Sequence, residues 1–241
     1  MQQYLSFQLY GVLASWGEQA VGESRHSATH PARSAILGLL AAALGIRRDE
    51  EQKLSDLSVS VCLGFKVSHS GLLLKDYHTI QVPPEDKKAR HRNTRRAELL
   101  SGKLGTVLSS REYRQDAFAL VAVWLTEHSY FTLNDLERKL TRPEFQLYLG
   151  RKSCPLSLPL NPKVIAADSF KAALDAYPLL TDIKLPGLEN GIYYWEKSPF
   201  SGIEDYSYRV PRYDQPLSRK HWQFASRDEY VLLSTGERHV S

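Results

Sequence analysis

The residues best suited to act on a charged polymer are concentrated in one stretch. The run KKARHRNTRR places Lys87, Lys88, Arg90, Arg92, Arg95 and Arg96 within ten positions, with His91 among them and no acid. Tyr77 and His78 precede it, and Arg111 and Tyr113 follow it. Metal-independent cleavage of RNA needs a base for the 2′-hydroxyl, a donor for the leaving oxygen and cations for the phosphorane. His78, His91, Tyr77, Tyr113 and the arginines contain all three types. The same residues also suit simple gripping, with Tyr and His stacking on unpaired bases while Arg and Lys hold phosphates. Gripping demands less geometric precision, so binding is the first reading and cleavage the second. A solvated loop without a partner stays as open as a polyanion-binding segment.

Other chemistries find less support. His26 and His30 lie four apart, but there is no HExxH and Pro31 follows directly, so no metal site is expected. SGKLGT at 101–106 lacks the GxxxxGK[ST] spacing, and Gly11, Gly17 and Gly22 do not form GxGxxG. Cys154, between Ser153 and Pro155, reads as a small buried residue in a tight loop rather than a nucleophile. Two further surfaces stand out. Arg33 and Ser34 open a helix whose free N–H groups and dipole favour an anion, although Ser34 alone could serve as a cap. Tyr148, Gly150, Arg151, Lys152 and Ser153 offer a ring, a close backbone approach and cations for one splayed nucleotide, or else form a solvated turn.

These residues must be held by a framework. The chain has 241 residues, 42% hydrophobic and 24% charged, which excludes wholesale disorder. Cys62 and Cys154 are too few for a disulfide framework. The first residues lack the pattern of a signal peptide, and the longest apolar run, 35–46, is too short to span a bilayer, so a soluble cytoplasmic protein is expected. The net charge is +4, but Lys75 to Arg114 holds ten Lys/Arg against five Asp/Glu, while the remainder is nearly balanced. Such a segment gains most beside a polyanion.

Alternation over 4–12 predicts a strand, and Pro31 opens a helix, ARSAILGLLAAALGI, buried nearly all round and ending near Gly45. Asp49 caps a second helix, EEQKLSDL. A strand at 59–67 leads into a hairpin through Gly71. The apolar run 117–127 predicts a central strand, and Asn134 or Asp135 starts a helix ending before Pro143. Beyond a Pro-rich stretch at 155–162 come the helix DSFKAALDAY and three strands, GIYYWEK, YSYRVPRY and QFASRDEYVLLST. The order β-α-β, insertion, β-α suits a ferredoxin-like sheet with a basic arm inserted.

Six stretches carry a family resemblance: ASWG (14–17), HPARSAILGLLAAALGI (30–46) followed by RRD, DYHT (76–79), REYRQDA (111–117), YLGRKSCPL (148–156) and QFASRDEYV (223–231). On these the chain resembles the CasD family, the backbone-capping subunits of type I-E CRISPR Cascade complexes. The resemblance implies an α+β fold: a ferredoxin-like (RRM-like) domain over 1–155 with a basic thumb inserted at about 80–110, and a smaller β-rich region over 156–241. It implies a non-catalytic subunit in antiviral defence that caps the 5′ handle of CRISPR RNA (crRNA). Its thumb would fold over the RNA, and it would touch CasC backbone subunits and the large CasA subunit. Target DNA would be met only through the complex. No cofactor, metal or membrane is implied. The thumb cations with His91, the Arg33–Ser34 helix start and Tyr148, Gly150, Arg151, Lys152, Ser153 and Cys154 would hold the handle. Trp16, Arg25, Tyr77, His78 and Arg111 extend that set. A related protein in another subtype is an endoribonuclease, so metal-independent processing of repeat RNA stays open as the alternative.

Overall fold

The computed structural model describes residues 1–20, 22–83, 94–100, 104–180, 187–218 and 220–233. The predicted alternation forms strand β1 (Gln2–Tyr10), and the loop after it carries two short strands, β2 (Leu13–Ala14) and β3 (Ser24–Arg25). Helix α1 (Arg33–Leu44) stops at Gly45, whose φ of 78° is a left-handed conformation that glycine adopts without a Cβ clash. Helix α2 (Glu51–Ser60) leads straight into β4 (Val61–His69). An arm of β5 (Leu72–Val82), α3 (Arg95–Leu99) and β6 (Gly105–Gln115) comes next. The apolar run is β7 (Phe118–Leu125). Helix α4 (Leu133–Thr141) is capped by Thr132, whose hydroxyl accepts the Asp135 N–H at 3.1 Å, so it begins slightly earlier than expected. The chain finishes with β8 (Lys163–Ala167), α5 (Phe170–Asp175), β9 (Ile192–Trp195), β10 (Tyr208–Ser218) and β11 (Gln223–Leu232).

Among the described residues the fold is α+β with two sheets. Seven antiparallel strands run in the order β10-β11-β9-β4-β7-β1-β8. Leu5, Phe7, Phe65, Val121 and Val123 pack one face of this sheet against Ile36 and Leu40 of α1 and Leu136 and Leu140 of α4. Tyr4, Trp124, Tyr193 and Trp195 pack the other face against Phe170 and Leu174 of α5. Gly64 permits that approach, since a Cβ there would lie 2.5 Å from the Phe170 ring. Both faces of β1 are therefore covered, and Gln8 is reached from inside: its amide donates to the Pro159 carbonyl and accepts from Leu180 N–H.

Two expectations need correcting. The division at residue 155 does not divide the molecule, because β8 pairs with β1, β9 pairs with β4, and one core layer draws on both sides of that boundary. Short strands after 155 gain most by extending a sheet that already exists. The expected hairpin through Gly71 is also absent. Both edges of β4 are taken, by β7 and β9, so β5 has no place beside it. At Gly71 the chain leaves the large sheet, and β5 pairs with β6 from Leu72↔Gln115 to Val82↔Gly105. The opposite edge of β6 takes β2, antiparallel, and β3, parallel. The arm thus starts and returns outside the 80–110 expected for the insertion.

Candidate nucleic-acid interface

Three segments meet at the body end of the arm. Glu112, on β6, organises the first meeting: its carboxylate accepts the Ser27 N–H at 3.2 Å and lies 3.1 Å from His26 Nδ1. Partial burial pushes its pKa up, but these two partners outweigh that and hold it below the ordinary carboxylate value. Arg114 donates to the Ala28 and Ser27 carbonyls from the same strand. The loop 14–28 is thereby laid along β6. The 148–155 loop joins it through a 3.0 Å bond from Ser15 N–H to the Leu149 carbonyl. Gly150 makes this possible: its φ is 84°, and a Cβ there would sit 1.8 Å from the Ser15 oxygen.

The meeting point is cationic. Arg25, Arg111 and Arg151 line one pocket of about 380 Å³, with Ile80 and Val107 as its apolar wall and Glu23 as its acid. None of the three arginines makes an ion pair among the described residues. The Arg151 guanidinium lies over the Tyr113 ring, 4.9 Å from its centre, and its Nη1 is shielded from solvent without a hydrogen-bond partner among the described residues. Arg25 and Arg151 also line a groove of about 1820 Å³, which passes Tyr148 and Lys152 and follows α1 and α2 to the β10–β11 turn.

The expected site residues divide into groups. Arg25, Arg111, Tyr148, Gly150, Arg151 and Lys152 are brought together at the pocket and groove, and Ser34 lines the groove from α1. Ser153 is exposed on the same loop. Tyr77, 63% exposed, and His78 stand along the arm, His78 Nε2 lying 2.5 Å from Asp76 Oδ2. Arg96 is exposed on α3; Arg95 is bonded to Glu98 and to the Gln81 carbonyl. Lys87, Lys88, Arg90, His91 and Arg92 lie outside the described residues. Three members belong to the interior. Trp16 is buried, its N–H donated to Ser27 Oγ and its carbonyl accepting Ala28 N–H. Cys154 is fully buried, its carbonyl accepting Leu149 N–H and its N–H donating to Arg151 to close the loop.

Arg33 is the third, and the expectation of an anion site at the start of α1 is corrected by its surroundings. Its guanidinium donates to Gln215, to Glu196 and to the Ser58 and Val61 carbonyls, and its backbone N–H donates to Asp214 at 2.7 Å. The helix dipole is thus answered from within by a carboxylate some 181 positions away in sequence. Asp214 also takes two bonds from Arg227, and Arg227 bonds Glu229 at 2.7 Å. His30 Nε2 lies 2.8 Å from Glu229, with Arg212 against both and the Tyr194 ring stacked on the imidazole. Burial raises the Glu229 pKa, but His30, Arg212 and Arg227 outweigh it and hold the carboxyl at about 2. Burial lowers that of His30 despite the nearby carboxylate. His26 and His30 therefore face different partners, and among the described residues no group of three His, Cys, Asp or Glu is placed to hold a metal ion.

Sequence reasoning did not pick out Arg47, Arg48 or Trp222, which line the far end of the groove; Arg48 lies over the Trp222 ring at 5.1 Å. The basic pair after α1 was the available signal. Trp222, in the turn between the paired strands β10 and β11, gave none.

A family model described as "CRISPR-associated protein (Cas_Cas5)" matches residues 4–230. The "CRISPR system Cascade subunit CasD" of Escherichia coli (strain K12) is 34% identical over 243 residues, covering 96% of both chains. A solved structure described as "Crystal structure of Cas protein" superposes with a TM-score of 0.62 at 29% identity, covering 95% of each chain. One described as "CRISPR RNA-guided surveillance complex" has the same fold, with a TM-score of 0.65 at 24% identity, over 95% of this chain and 89% of that one. The framework that holds the arginine pocket is shared along nearly the whole sequence: the chain belongs to the Cas5 family of CRISPR-associated proteins.

Proposed function

We propose that this chain is the CasD-type subunit of a type I-E Cascade complex, holding the 5′ handle of crRNA without cutting it. The observation that carries the reading is the pocket of Arg25, Arg111 and Arg151 beside Tyr148, at the base of a basic arm. Arginines without an acidic partner among the described residues, next to a half-buried ring, suit a single strand, whose phosphates need cations and whose bases need a stacking surface. The similarity to a Cascade subunit supports the same assignment. The sheet order β4-β7-β1-β8, with α1 and α4 on one face, supports a ferredoxin-like core, with the arm between β4 and β7 as its thumb. Its basic residues would lie on the RNA and against CasC subunits, and a further face would meet CasA. No helix among the described residues is long and apolar enough to cross a membrane.

Cleavage would require an acid and a base converging on one phosphate. Tyr113 is 7% exposed beneath Arg151, and His78 lies beside Asp76, so binding is the better use of these groups. Co-purification tests the proposal: the tagged chain should bring down the other Cascade subunits and a small RNA beginning with the repeat-derived handle. Purified chain should leave repeat RNA uncut in EDTA. Replacing Arg25, Arg111 and Arg151 with Ala should lower the salt slope of handle binding by up to about 2. Recovery without RNA, or specific cutting that is lost in His78→Ala, would overturn the reading.

A further inference from the structure

The groove does not end at the arginine pocket. From Tyr148 and Lys152 it follows α1, where the exposed Gly38 leaves the helix bare of side chain, and reaches the β10–β11 turn. A volume of about 1820 Å³ exceeds the few hundred to about 1,000 Å³ that small ligands occupy, so an extended chain fits it better.

The far end is a built surface. Glu51 fastens the turn to the first turn of α2, accepting Ser218 Oγ at 2.7 Å and Lys220 N–H at 3.2 Å. Trp222 stands there with a φ of 52° and 57% exposure, one ring face under Arg48. The local acids are largely engaged: Glu50 holds Lys53 and the Arg47 N–H, and Glu51 holds the turn. Arg47 and Arg48 make no ion pair among the described residues. Two unpaired guanidiniums and an exposed indole, in one groove with the arginine pocket, are the combination that tracks a phosphate backbone and stacks a base. Charge and continuity both favour RNA over a protein occupant here.

We infer that Arg47, Arg48 and Trp222 form a second RNA subsite, at which the strand leaving the Tyr148–Lys152 loop ends its contact with this chain and one base stacks on Trp222. The inference rests on the proposed RNA-holding role and adds a path and an end point to it.

The four tryptophans supply the test. Trp16, Trp124 and Trp195 are at most 3% exposed, so Trp222 alone is open to a stacking base. Full-length chain is titrated with fluorescein-labelled repeat-derived RNA of 4 and 12 nucleotides, following RNA anisotropy and intrinsic tryptophan emission together. The 12-nucleotide RNA should quench the emission. Trp222→Ala should weaken its binding by about 5- to 150-fold and abolish the quench. Trp222→Phe should keep most of the affinity while abolishing the quench. Arg47→Ala with Arg48→Ala should lower the salt slope by about 1.4 for the longer RNA. The 4-nucleotide RNA, if held in the arginine pocket alone, should be indifferent to all of these changes. Binding by anisotropy with unchanged emission and unchanged affinity in the variants would overturn the inference and give this end of the groove to a protein neighbour. Failure of wild-type chain to bind either RNA would instead remove the RNA-holding role on which the inference stands.

Discussion

Replacing Glu229 with Gln probes the charge cluster that joins α1 to the β10–β11 hairpin. Glu229 is fully buried and takes bonds or close contacts from Arg227, His30 and Arg212. Its pKa stands at about 2 in the fold against an ordinary 4.5, a gap worth about 3 kcal/mol of folding free energy at neutral pH. Leaving buried arginines short of a counter-charge gives a similar figure, about 3–5 kcal/mol. For a chain of this size Tm should fall by about 6–12 °C at pH 7. The sign with pH is fixed. A depressed carboxyl pKa contributes fully above its unfolded value and loses that contribution as pH falls toward its folded value. The difference between wild type and Glu229→Gln should therefore be roughly two-fifths smaller at pH 3.5 than at pH 7. His30, whose pKa is lowered from 6.5 by burial, acts in the same direction, because the unfolded chain takes up that proton first. Wild type and variant should both weaken below about pH 6.5. Thermal and urea unfolding followed by circular dichroism measure all of this. A difference below about 1 kcal/mol at pH 7, or one that is unchanged at pH 3.5, would refute the argument.

Other changes separate the interface from the scaffold. Tyr148→Ala should raise the Kd for handle RNA by about 5- to 150-fold with Tm preserved, and collapse of the fold would instead make Tyr148 a core residue. Gly150→Ala puts a Cβ 1.8 Å from the Ser15 oxygen at a φ of 84°, so the two loops should part and RNA affinity should fall; a Kd equal to wild type would show that the loops do not act together. Gly64→Ala drives a methyl into the Phe170 ring and should cost about 1–3 kcal/mol of stability, with RNA affinity per folded molecule unchanged.

Local pattern was enough wherever one segment decides its own conformation. The alternation of β1, the apolar run of β7 and the Pro31–Gly45 bracket of α1 are all present in the structure. Pairing between distant segments was not legible. GTVLSSREYRQ is polar and looks like part of an insertion, yet it is β6, because β5 supplies a matching ladder along its whole length. Lys163–Ala167 is too short to announce a strand and becomes one at the free edge of β1. The site divides in the same way. Tyr148–Lys152 could be read from a ring, a glycine and cations lying close together in sequence. Arg33 could not, because the groups that enclose it, Asp214, Gln215 and Glu196, are more than 160 positions away.

The arm joins the body at two adjacent corners. The chain leaves at Gly71, with φ 76°, and returns at Asp116, with φ 55°. The crossing is clamped by His69 Nδ1 on the Asp116 carbonyl at 2.9 Å and by the Tyr10 hydroxyl on the Asp116 carboxylate at 3.0 Å. On the body side of these corners lie β4 and β7, two strands from the middle of the large sheet. The ribbon is therefore a cantilever set into the middle of the large sheet rather than a flap hung from its rim. A load applied to the ribbon, by a polymer drawn taut or by an adjoining subunit, passes into the central strands at its root and into the loop 14–28 bonded along β6.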